Sequence, residues 1–272
     1  MAVYALSTEE LKGLQVVLLD MLLELDRICK KNNIKYCLFG GTMLGAYRHK
    51  GFIPWDDDLD VAMLRTDYNK FRTACERDLD AKKFFFQDHT TDPYYRWGYG
   101  RIRRKGSEFV RVNQEHMKMH TGIFLDIFPM DGVPEFAPFR GFHNFYCYLL
   151  RKLLYAEVGI KTGKRLYNRM GYALMNCIPH AWTFRRLDKL ALKWKDTKWV
   201  RHTCFPMPKG RPYGFLRTWC EDLVDINFEG FMFPGIKDAH DYLANHYGSD
   251  YMQPPPPEKR HWHPVSRFKL PD

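Results

Sequence analysis

GGTMLGAYRHKGFIPWDDDLDVAM, residues 40–63, joins a glycine pair, a short basic segment and four aspartates within five positions. If the aspartates open a β-strand, the two-residue side-chain period places Asp58 and Asp60 on one face, about 6–7 Å apart along the backbone. The same period directs the intervening apolar side chains into the core. This stretch therefore predicts a buried strand that presents two carboxylates on one side.

Two like-charged carboxylates on one face repel each other, so the arrangement favours a hard cation between them. Mg²⁺ is commonly bound by one or two carboxylates together with substrate phosphates. We therefore predict a site for one or two Mg²⁺ ions, with Mn²⁺ as an alternative, in which Asp58 and Asp60 are ligands and catalytic residues.

The first part of the stretch is suited to an anion. Gly40 and Gly41 end the apolar segment 34–39 and let the backbone approach a ligand closely. Thr42 is predicted to begin a short helix, whose N-terminal amides attract negative charge. Three cationic residues follow and are further candidates for substrate binding: Arg48, His49 and Lys50.

A glycine pair after a predicted strand, followed by an Asp-apolar-Asp strand, resembles the signature of the nucleotidyltransferase fold. The full string of residues 40–63 resembles a narrower group, the LicD family of phosphocholine transferases, with Tyr47 and Leu59 as mild departures. The catalytic domains of fukutin and fukutin-related protein are similar to this family. The resemblance is strong over residues 10–134 and weaker over residues 205–260.

This resemblance implies that phosphocholine is transferred from CDP-choline to a sugar hydroxyl and that CMP is released. The acceptors consistent with the family are cell-surface glycans, namely teichoic acid, lipopolysaccharide and glycolipid precursors. The same metal site would also serve another CDP-linked donor, such as a CDP-alditol, or a nucleoside triphosphate.

Asp126 lies in the apolar segment 122–131, GIFLDIFPMD, which predicts another strand. A lone carboxylate is costly to bury without a partner, and a metal ion would provide one. Enzymes of the resembled fold place a third carboxylate on a neighbouring strand, and Asp126 matches that position. It is our third metal and catalytic candidate, and the foremost candidate for accepting the hydroxyl proton. Asp131, past Pro129, is predicted to lie in an Asp-Gly turn.

The predicted strand 97–103 ends in a cationic cluster. Arg101 and Arg103 are candidates to clamp phosphate through paired hydrogen bonds, and surface solvation is the alternative. Upstream, Tyr94, Tyr95 and Trp97 offer an aromatic face for a quaternary ammonium group, with core packing as the alternative.

The order of patterns predicts an α+β fold, a nucleotidyltransferase-like mixed sheet flanked by helices with a basic helical insert. We predict a catalytic core at 1–136, the insert at 137–200, and a C-terminal part at 201–272 that completes the core. A capping box at Ser7 and Glu10 begins a long amphipathic helix, which ends at KKNN, residues 30–33. Further helices are predicted at 66–79, 142–158, 166–175, 182–199 and 237–247, a strand at 84–86 and a hairpin around 227–233.

The formal net charge of +10 arises in the middle of the chain. Residues 137–200 hold 13 Lys+Arg and 3 Asp+Glu, whereas positive and negative residues balance on both sides. This aromatic and basic segment either lies on an anionic membrane, grips a lipid-linked acceptor, or packs as a helical subdomain. A non-enzymatic nucleic-acid module is the alternative from another class, but no RNP-like or helix-turn-helix pattern supports it, and we expect no nucleic-acid partner.

Seven scattered cysteines without a CxxC pair predict reduced thiols. With neither a secretory leader nor a membrane-spanning run in view, we expect a cytoplasmic protein, peripheral on the inner face of the membrane. His261 and His263 resemble a metal pair, but no cysteine or acidic residue stands near them in sequence, so we do not expect them to bind metal. The prolines at 254–257 predict a semi-rigid tail.

Overall fold

A computed structural model describes residues 4–203, 205, 214–260 and 262–271, and it has the mixed α+β architecture predicted from sequence. Its elements, in chain order, are α1 (Thr8–Asn32), β1 (Cys37–Leu38), α2 (Gly40–His49), β2 (Asp60–Leu64), α3 (Arg65–Asp78), β3 (Phe84–Gln87), β4 (Gly100–Arg104), β5 (Glu108–Arg111), β6 (Phe124–Gly132), α4 (Ala137–Leu154), α5 (Ala156–Thr162), α6 (Leu166–Asn176), α7 (His180–Ala191), β7 (Trp199–Arg201), β8 (Phe215–Leu216), α8 (Thr218–Glu221), β9 (Leu223–Phe228), β10 (Phe231–Ile236), α9 (Ala239–Tyr247), a 3₁₀ turn (Pro257–Lys259) and β11 (Val265–Lys269).

The long first helix forms for local reasons that the sequence displays. The Ser7 side chain accepts from the amide of Glu10, and the Glu10 side chain accepts from the amide of Ser7, which completes the predicted capping box. At the other end, Asn33 adopts the left-handed conformation, as predicted. Its apolar stripe is buried in the main core, so α1 covers the central sheet.

The central sheet has the strand order β1-β2-β6-β4-β3, and β7 and β8 extend it from β6. Strands β2 and β6 are parallel neighbours, whereas the other pairs are antiparallel. Two separate ladders join β9 with β10 and β5 with β11. The parallel pair matters most for function, because its register places Asp60 directly beside Asp126.

Helices α4–α7 occupy most of the segment predicted as a helical insert. Leu150 and Leu154 from α4 pack with Phe184 and Leu187 from α7 in a small core of their own. Nowhere in the described part of the chain is a helix both long enough and apolar enough to cross a bilayer.

Asp131 corrects one prediction. It lies inside β6 with 1% of its surface exposed, not in a turn. Its carboxylate accepts two hydrogen bonds from Arg65, at 2.6 and 3.0 Å, and one from Thr203 at 2.5 Å. These partners satisfy the buried charge of a residue that the sequence analysis placed in a loop.

Other differences concern where elements begin and end. Helix α3 starts at Arg65 without a side-chain cap from Thr66, because β2 runs directly into it. The helix predicted at 182–199 stops at Ala191, and the chain returns to the sheet at Trp199. The prolines do not end regular structure, since β11 follows them and pairs with β5.

The cysteines of the described part are free thiols, as predicted: Cys29, Cys37, Cys75, Cys147, Cys177 and Cys220. Cys204 and His261 lie outside the described residues.

Candidate active site

The acidic residues meet at the start of two neighbouring strands. Asp60 is the first residue of β2, and Asp58 lies in the irregular segment just before it. Asp126 is the register partner of Asp60 on β6, about one strand spacing away. The structure therefore brings the three predicted carboxylate residues to one place, although Asp126 is 66 positions beyond Asp60 in sequence.

The electrostatics of this cluster are repulsive. Burial raises the pKa of Asp60 well above its ordinary value, and the charges of Asp58 and Asp126 raise it further. Burial also raises the pKa of Asp56, with Asp58 adding to the effect. The Oδ1 atom of Asp60 is buried and has no hydrogen-bond partner among the described residues. Such a cluster stores unfavourable energy that a bound cation would relieve.

Asp126 has a protein partner that the sequence did not reveal. Arg101 donates to its two carboxylate oxygens at 2.5 and 3.3 Å, and both residues are almost completely buried. The sequence predicts a metal ion as a partner for this carboxylate, and the structure adds Arg101 as a partner within the protein. A carboxylate has about four acceptor positions, so the ion pair orients Asp126 and leaves lone pairs that Arg101 does not use.

Arg101 and Arg103 are engaged with the protein instead of with solvent. Arg101 also donates to the Tyr99 hydroxyl at 3.0 Å. Arg103 donates to the side-chain oxygen of Gln87 at 2.7 Å and to the carbonyl of Gly122 at 2.6 Å. These contacts give both guanidinium groups structural partners, and phosphate clamping by them finds no support in this geometry.

Arg111, on β5, is a cationic residue near the acidic cluster that sequence reasoning missed. Burial raises the pKa values of Asp58 and Asp60, and the positive charge of Arg111 offsets part of that rise. Its Nε atom is buried and has no acceptor in the part of the chain described. No local pattern around residue 111 marked it, because its proximity depends on how β5 packs beside the main sheet.

His263 was considered from sequence and set aside as a ligand, yet it lies against the acidic cluster. Its backbone amide donates to Asp57 at 2.8 Å, its Nδ1 atom lies 3.0 Å from the other Asp57 oxygen, and Asp58 is 3.6 Å away. Among the described residues, Asp57, Asp58 and His263 place ligand atoms within 4.8 Å of one another. The sequence argument failed because the acidic neighbours of this histidine stand 206 positions earlier in the chain.

The glycine pair allows the start of α2 to lie against the carboxylates. Gly40 has a φ of +55°, and an added Cβ there would lie 3.1 Å from Oδ2 of Asp60. At Gly41, an added Cβ would lie 3.0 Å from Oδ2 of Asp56. The amide of Gly40 already donates to the Tyr242 hydroxyl at 2.9 Å. The predicted close approach is present, and its first contacts are with protein groups.

The remaining substrate-binding candidates of residues 40–63 lie at different ends of helix α2. Thr42 does not begin the helix; its hydroxyl accepts from the Asp60 amide at 2.8 Å and fixes the start of β2. Arg48, His49 and Lys50 lie at the opposite end, about 12 Å along the axis from Gly40. Arg48 donates to the carbonyl of Tyr251 at 2.7 Å and so holds the C-terminal segment. The structure does not gather these cations around the glycine pair.

An aromatic cavity of about 230 Å³ opens beside the acidic cluster. It is lined by Phe39, Gly40, Gly41, Asp60, Phe128, His202, Phe205, Phe215, His246 and Tyr247. The aromatic residues considered from sequence lie elsewhere, since Tyr95 is completely buried and Tyr94 is exposed beside Lys118. The cavity therefore combines aromatic faces, one carboxylate and the N-terminus of a helix.

Comparisons of the sequence relate this chain to known proteins. A family model described as "LicD/FKTN/FKRP, nucleotidyltransferase domain" matches residues 33–137, a range that contains the glycine pair and the acidic cluster. The chain is also 26% identical, over 265 residues, to the lipopolysaccharide cholinephosphotransferase LicD of Haemophilus influenzae. That similarity covers 94% of this chain and 96% of the relative.

Shorter similarities involve two uncharacterized rickettsial proteins. One from Rickettsia typhi is 44% identical over 55 residues, which is 20% of this chain and 18% of that protein. One from Rickettsia prowazekii is 46% identical over 50 residues, which is 18% and 19% of the two chains. Residues 33–137 therefore match the nucleotidyltransferase domain of the LicD/FKTN/FKRP family, and nearly the whole chain is similar to a LicD cholinephosphotransferase.

Proposed function

We propose that this protein is a metal-dependent phosphotransferase that moves phosphocholine from CDP-choline to a sugar hydroxyl of a cell-surface glycan and releases CMP. The nearly full-length similarity to a lipopolysaccharide cholinephosphotransferase supports the reaction class. The observation that carries the proposal is the placement of Asp58, Asp60 and Asp126 beside the N-terminus of α2 and the aromatic cavity.

The side chains of the cluster suit a divalent cation by donor type, although Asp58, Asp60 and Asp126 are not among the groups of described residues whose ligand atoms lie within 4.8 Å of one another. Their donors are carboxylate oxygens, the type that Mg²⁺ prefers, and the buried Oδ1 atom of Asp60 has no hydrogen-bond partner among the described residues. We propose that Asp58, Asp60 and Asp126 hold one or two Mg²⁺ ions, with Mn²⁺ as an alternative. When bound, such an ion neutralises charge on the phosphate oxygens of the donor.

The other possible set of metal ligands, Asp57, Asp58 and His263, is less suited to binding the cation. The Nδ1 atom of His263 is within hydrogen-bonding distance of Asp57, so that nitrogen is already engaged. We therefore assign His263 to positioning Asp57 and the loop that carries Asp58, and we place the cation on the side of Asp60.

The rest of the reaction follows from ordinary phosphoryl transfer. The acceptor oxygen forms a bond to the phosphorus that carries choline, the bond from that phosphorus to the bridging oxygen breaks, and this oxygen leaves with CMP. The hydroxyl proton passes to a carboxylate of the cluster, and Asp126 remains our candidate. The protein supplies position and a fixed electrostatic environment.

The aromatic cavity supplies a place for the choline group. A quaternary ammonium ion is attracted to the faces of aromatic rings, and a nearby carboxylate strengthens this attraction. Phe39, Phe128, Phe215 and Tyr247 line the cavity together with Asp60. The alditol group of a CDP-alditol carries no positive charge that these aromatic faces could attract. We therefore favour CDP-choline as the donor.

The free thiols of the described residues support a cytoplasmic location.

The proposal is tested by incubating the purified protein with Mg²⁺ and, in separate reactions, CDP-choline, CDP-ribitol, CDP-glycerol or a nucleoside triphosphate, each with a glycan acceptor. Mass spectrometry follows the release of CMP or pyrophosphate. We expect CMP from CDP-choline, and no turnover by the Asp58→Asn or Asp60→Asn variant. Asp225→Asn, an exposed change on β9, is the matched control and should retain activity.

Two results would overturn parts of this proposal. Turnover of a different donor in preference to CDP-choline would remove the choline assignment. Undiminished turnover by the Asp58→Asn and Asp60→Asn variants would remove these residues from the catalytic role.

A further inference from the structure

Helix α6 exposes an apolar face that nothing in the described structure covers. The exposed fractions of Leu166, Met170 and Leu174 are 72%, 61% and 74%, and these residues recur every four positions on one side of the helix. No residue of α6 is buried. A soluble helix normally turns its apolar stripe toward the core, so this orientation requires an explanation.

Helix α4 shows a second apolar face. Phe142 is 71% exposed, and Phe145, Tyr148 and Leu149 are exposed on the same side. The opposite side of this helix is the one that packs inward: His143, Cys147, Leu150 and Leu154. The exposed aromatic residues of α4 are therefore additional to those that the fold uses for its own packing.

A groove lies between α4 and α6, next to these exposed apolar residues. A cavity of about 480 Å³ is lined by Tyr148, Leu149 and Lys152 from α4 and by Tyr167 and Met175 from α6. Lys152 also donates to the Tyr172 hydroxyl of α6 at 2.9 Å and so ties the helices together. We call this surface, formed by the outer sides of α4 and α6 and their common groove, the α4–α6 face.

The charge around the α4–α6 face has a single sign. Neither helix contains an acidic residue, and the range 158–187 contains none either. Lys161, Lys164 and Arg165 are exposed immediately before α6. Exposed aliphatic and aromatic side chains surrounded by cations complement a surface that offers both negative charge and an apolar phase.

We propose that the α4–α6 face lies on an anionic lipid bilayer, with Leu166, Met170 and Leu174 inserted among the acyl chains and the lysines near the lipid phosphates. Nucleic acid would satisfy the cations but offers no apolar phase for three aliphatic side chains. An anionic bilayer satisfies both. Because binding depends on two independent kinds of contact, each can be removed separately.

The position of the face suits an acceptor carried by a lipid, a consequence that rests on the proposed transferase function. Tyr155 lines the groove and also a second cavity of about 360 Å³, which reaches Tyr99 and Arg111 beside the acidic cluster. Membrane contact itself does not depend on that function.

The test is flotation of the full chain with vesicles of equal parts phosphatidylglycerol and phosphatidylcholine, compared with phosphatidylcholine alone. We expect binding to the anionic vesicles that weakens with added NaCl. The variant Leu166→Ser, Met170→Ser, Leu174→Ser should lose binding by at least about tenfold. Lys161→Glu with Lys164→Glu should do the same, since each lysine near the surface contributes to attraction.

The matched control is Val16→Ser, Val224→Ser, Met252→Ser, which changes exposed apolar residues outside the insert and should bind as the wild type does. Turnover of CDP-choline with a water-soluble acceptor, measured on the same variants, separates loss of membrane contact from loss of the proposed function. Absence of wild-type binding to anionic vesicles, or equal binding by the serine variant, would overturn the proposal. Two other results would also overturn it. In each, the wild type would fail to bind vesicles and would instead dimerise or retain RNA, and the serine variant would lose that dimerisation or RNA binding.

Discussion

At the residue scale, Asp126 shows what a buried charge does and does not reveal. The apolar residues around it made a partner necessary, since an unpaired buried carboxylate is costly. That requirement was read correctly from sequence. The identity of the partner, Arg101, was not, because β4 must be paired with β6 before the two side chains meet.

The ion pair predicts an asymmetric response to mutation. Asp126→Asn should lower the free energy of unfolding by about 3 kcal/mol, because Arg101 stays buried and loses its counter-charge. Urea unfolding followed by circular dichroism measures this change.

The control removes both charges. Arg101→Met combined with Asp126→Leu should recover most of the lost stability, since no unpaired charge remains, while transfer activity stays absent. A double variant as unstable as the single one would contradict this role of the ion pair.

Gly40 is a second residue with a definite physical requirement. Its left-handed φ and the 3.1 Å approach of a Cβ to Asp60 predict that Gly40→Ala costs about 1–2 kcal/mol and reduces turnover. Thermal unfolding and CMP release measure the two effects.

Gly171→Ala is the matched change at a position with open space. Gly171 lies within α6 and an added Cβ would meet nothing within 4 Å, so alanine should stabilise the helix by up to about 1 kcal/mol. If Gly40→Ala were tolerated equally well, the close-approach argument for the glycine pair would fail.

At the scale of elements, helix α1 and strands β1, β3, β4 and β6 lie where the sequence predicts them, whereas β5, β7, β8 and β11 were not predicted. Helix α1 and the β9–β10 hairpin carry their own signals, a capping box in one case and a turn between apolar runs in the other. Strands β8 and β11 form because a neighbouring strand pairs with them. A two-residue strand such as β8 is too short to show a side-chain period in the sequence.

The burial of His143 on α4 predicts that the free energy of unfolding depends on pH. Burial, assisted by the charge of Arg201, lowers the pKa of His143 to about 4, whereas the unfolded chain protonates this residue near its ordinary value of 6.5. The stability that depends on neutral His143 is therefore present above pH 6.5 and is lost as the pH falls toward 4. At about pH 5 the loss should be about 2 kcal/mol.

The measurement is urea unfolding at about pH 7 and about pH 5. His143→Leu should lose less stability on acidification than the wild type, because it has no proton to take up. The exposed His116→Leu variant is the comparison and should keep the full pH response. Identical pH responses of wild type and His143→Leu would contradict the assignment.

At the scale of the whole molecule, the acidic cluster should link folding to divalent cations. Mg²⁺ that binds the folded chain raises its melting temperature by mass action. We expect this increase in the wild type and a much smaller one in Asp60→Asn.

When a chelator removes divalent cations, we expect Asp60→Asn to be more stable than the wild type. Asp60→Asn removes one of several repelling carboxylates, so it should be more stable than the wild type by about 1 kcal/mol. Differential scanning fluorimetry with and without EDTA measures both effects, and a Mg²⁺ response equal in the two proteins would argue against a metal site at Asp60.

The sequence by itself determined the α+β class, the long helices, the position of the acidic stretch and the concentration of positive charge in residues 137–200. These properties depend on residue type and on neighbours within a few positions. Capping motifs, side-chain periods and composition can all be recognised over such short distances in the sequence. Only the tertiary structure decided that Arg101 pairs with Asp126, that Arg111 approaches the cluster and that His263 contacts Asp57 across 206 positions. Strand register and the packing of β11 on β5 create those contacts, and neither is encoded by any short segment alone.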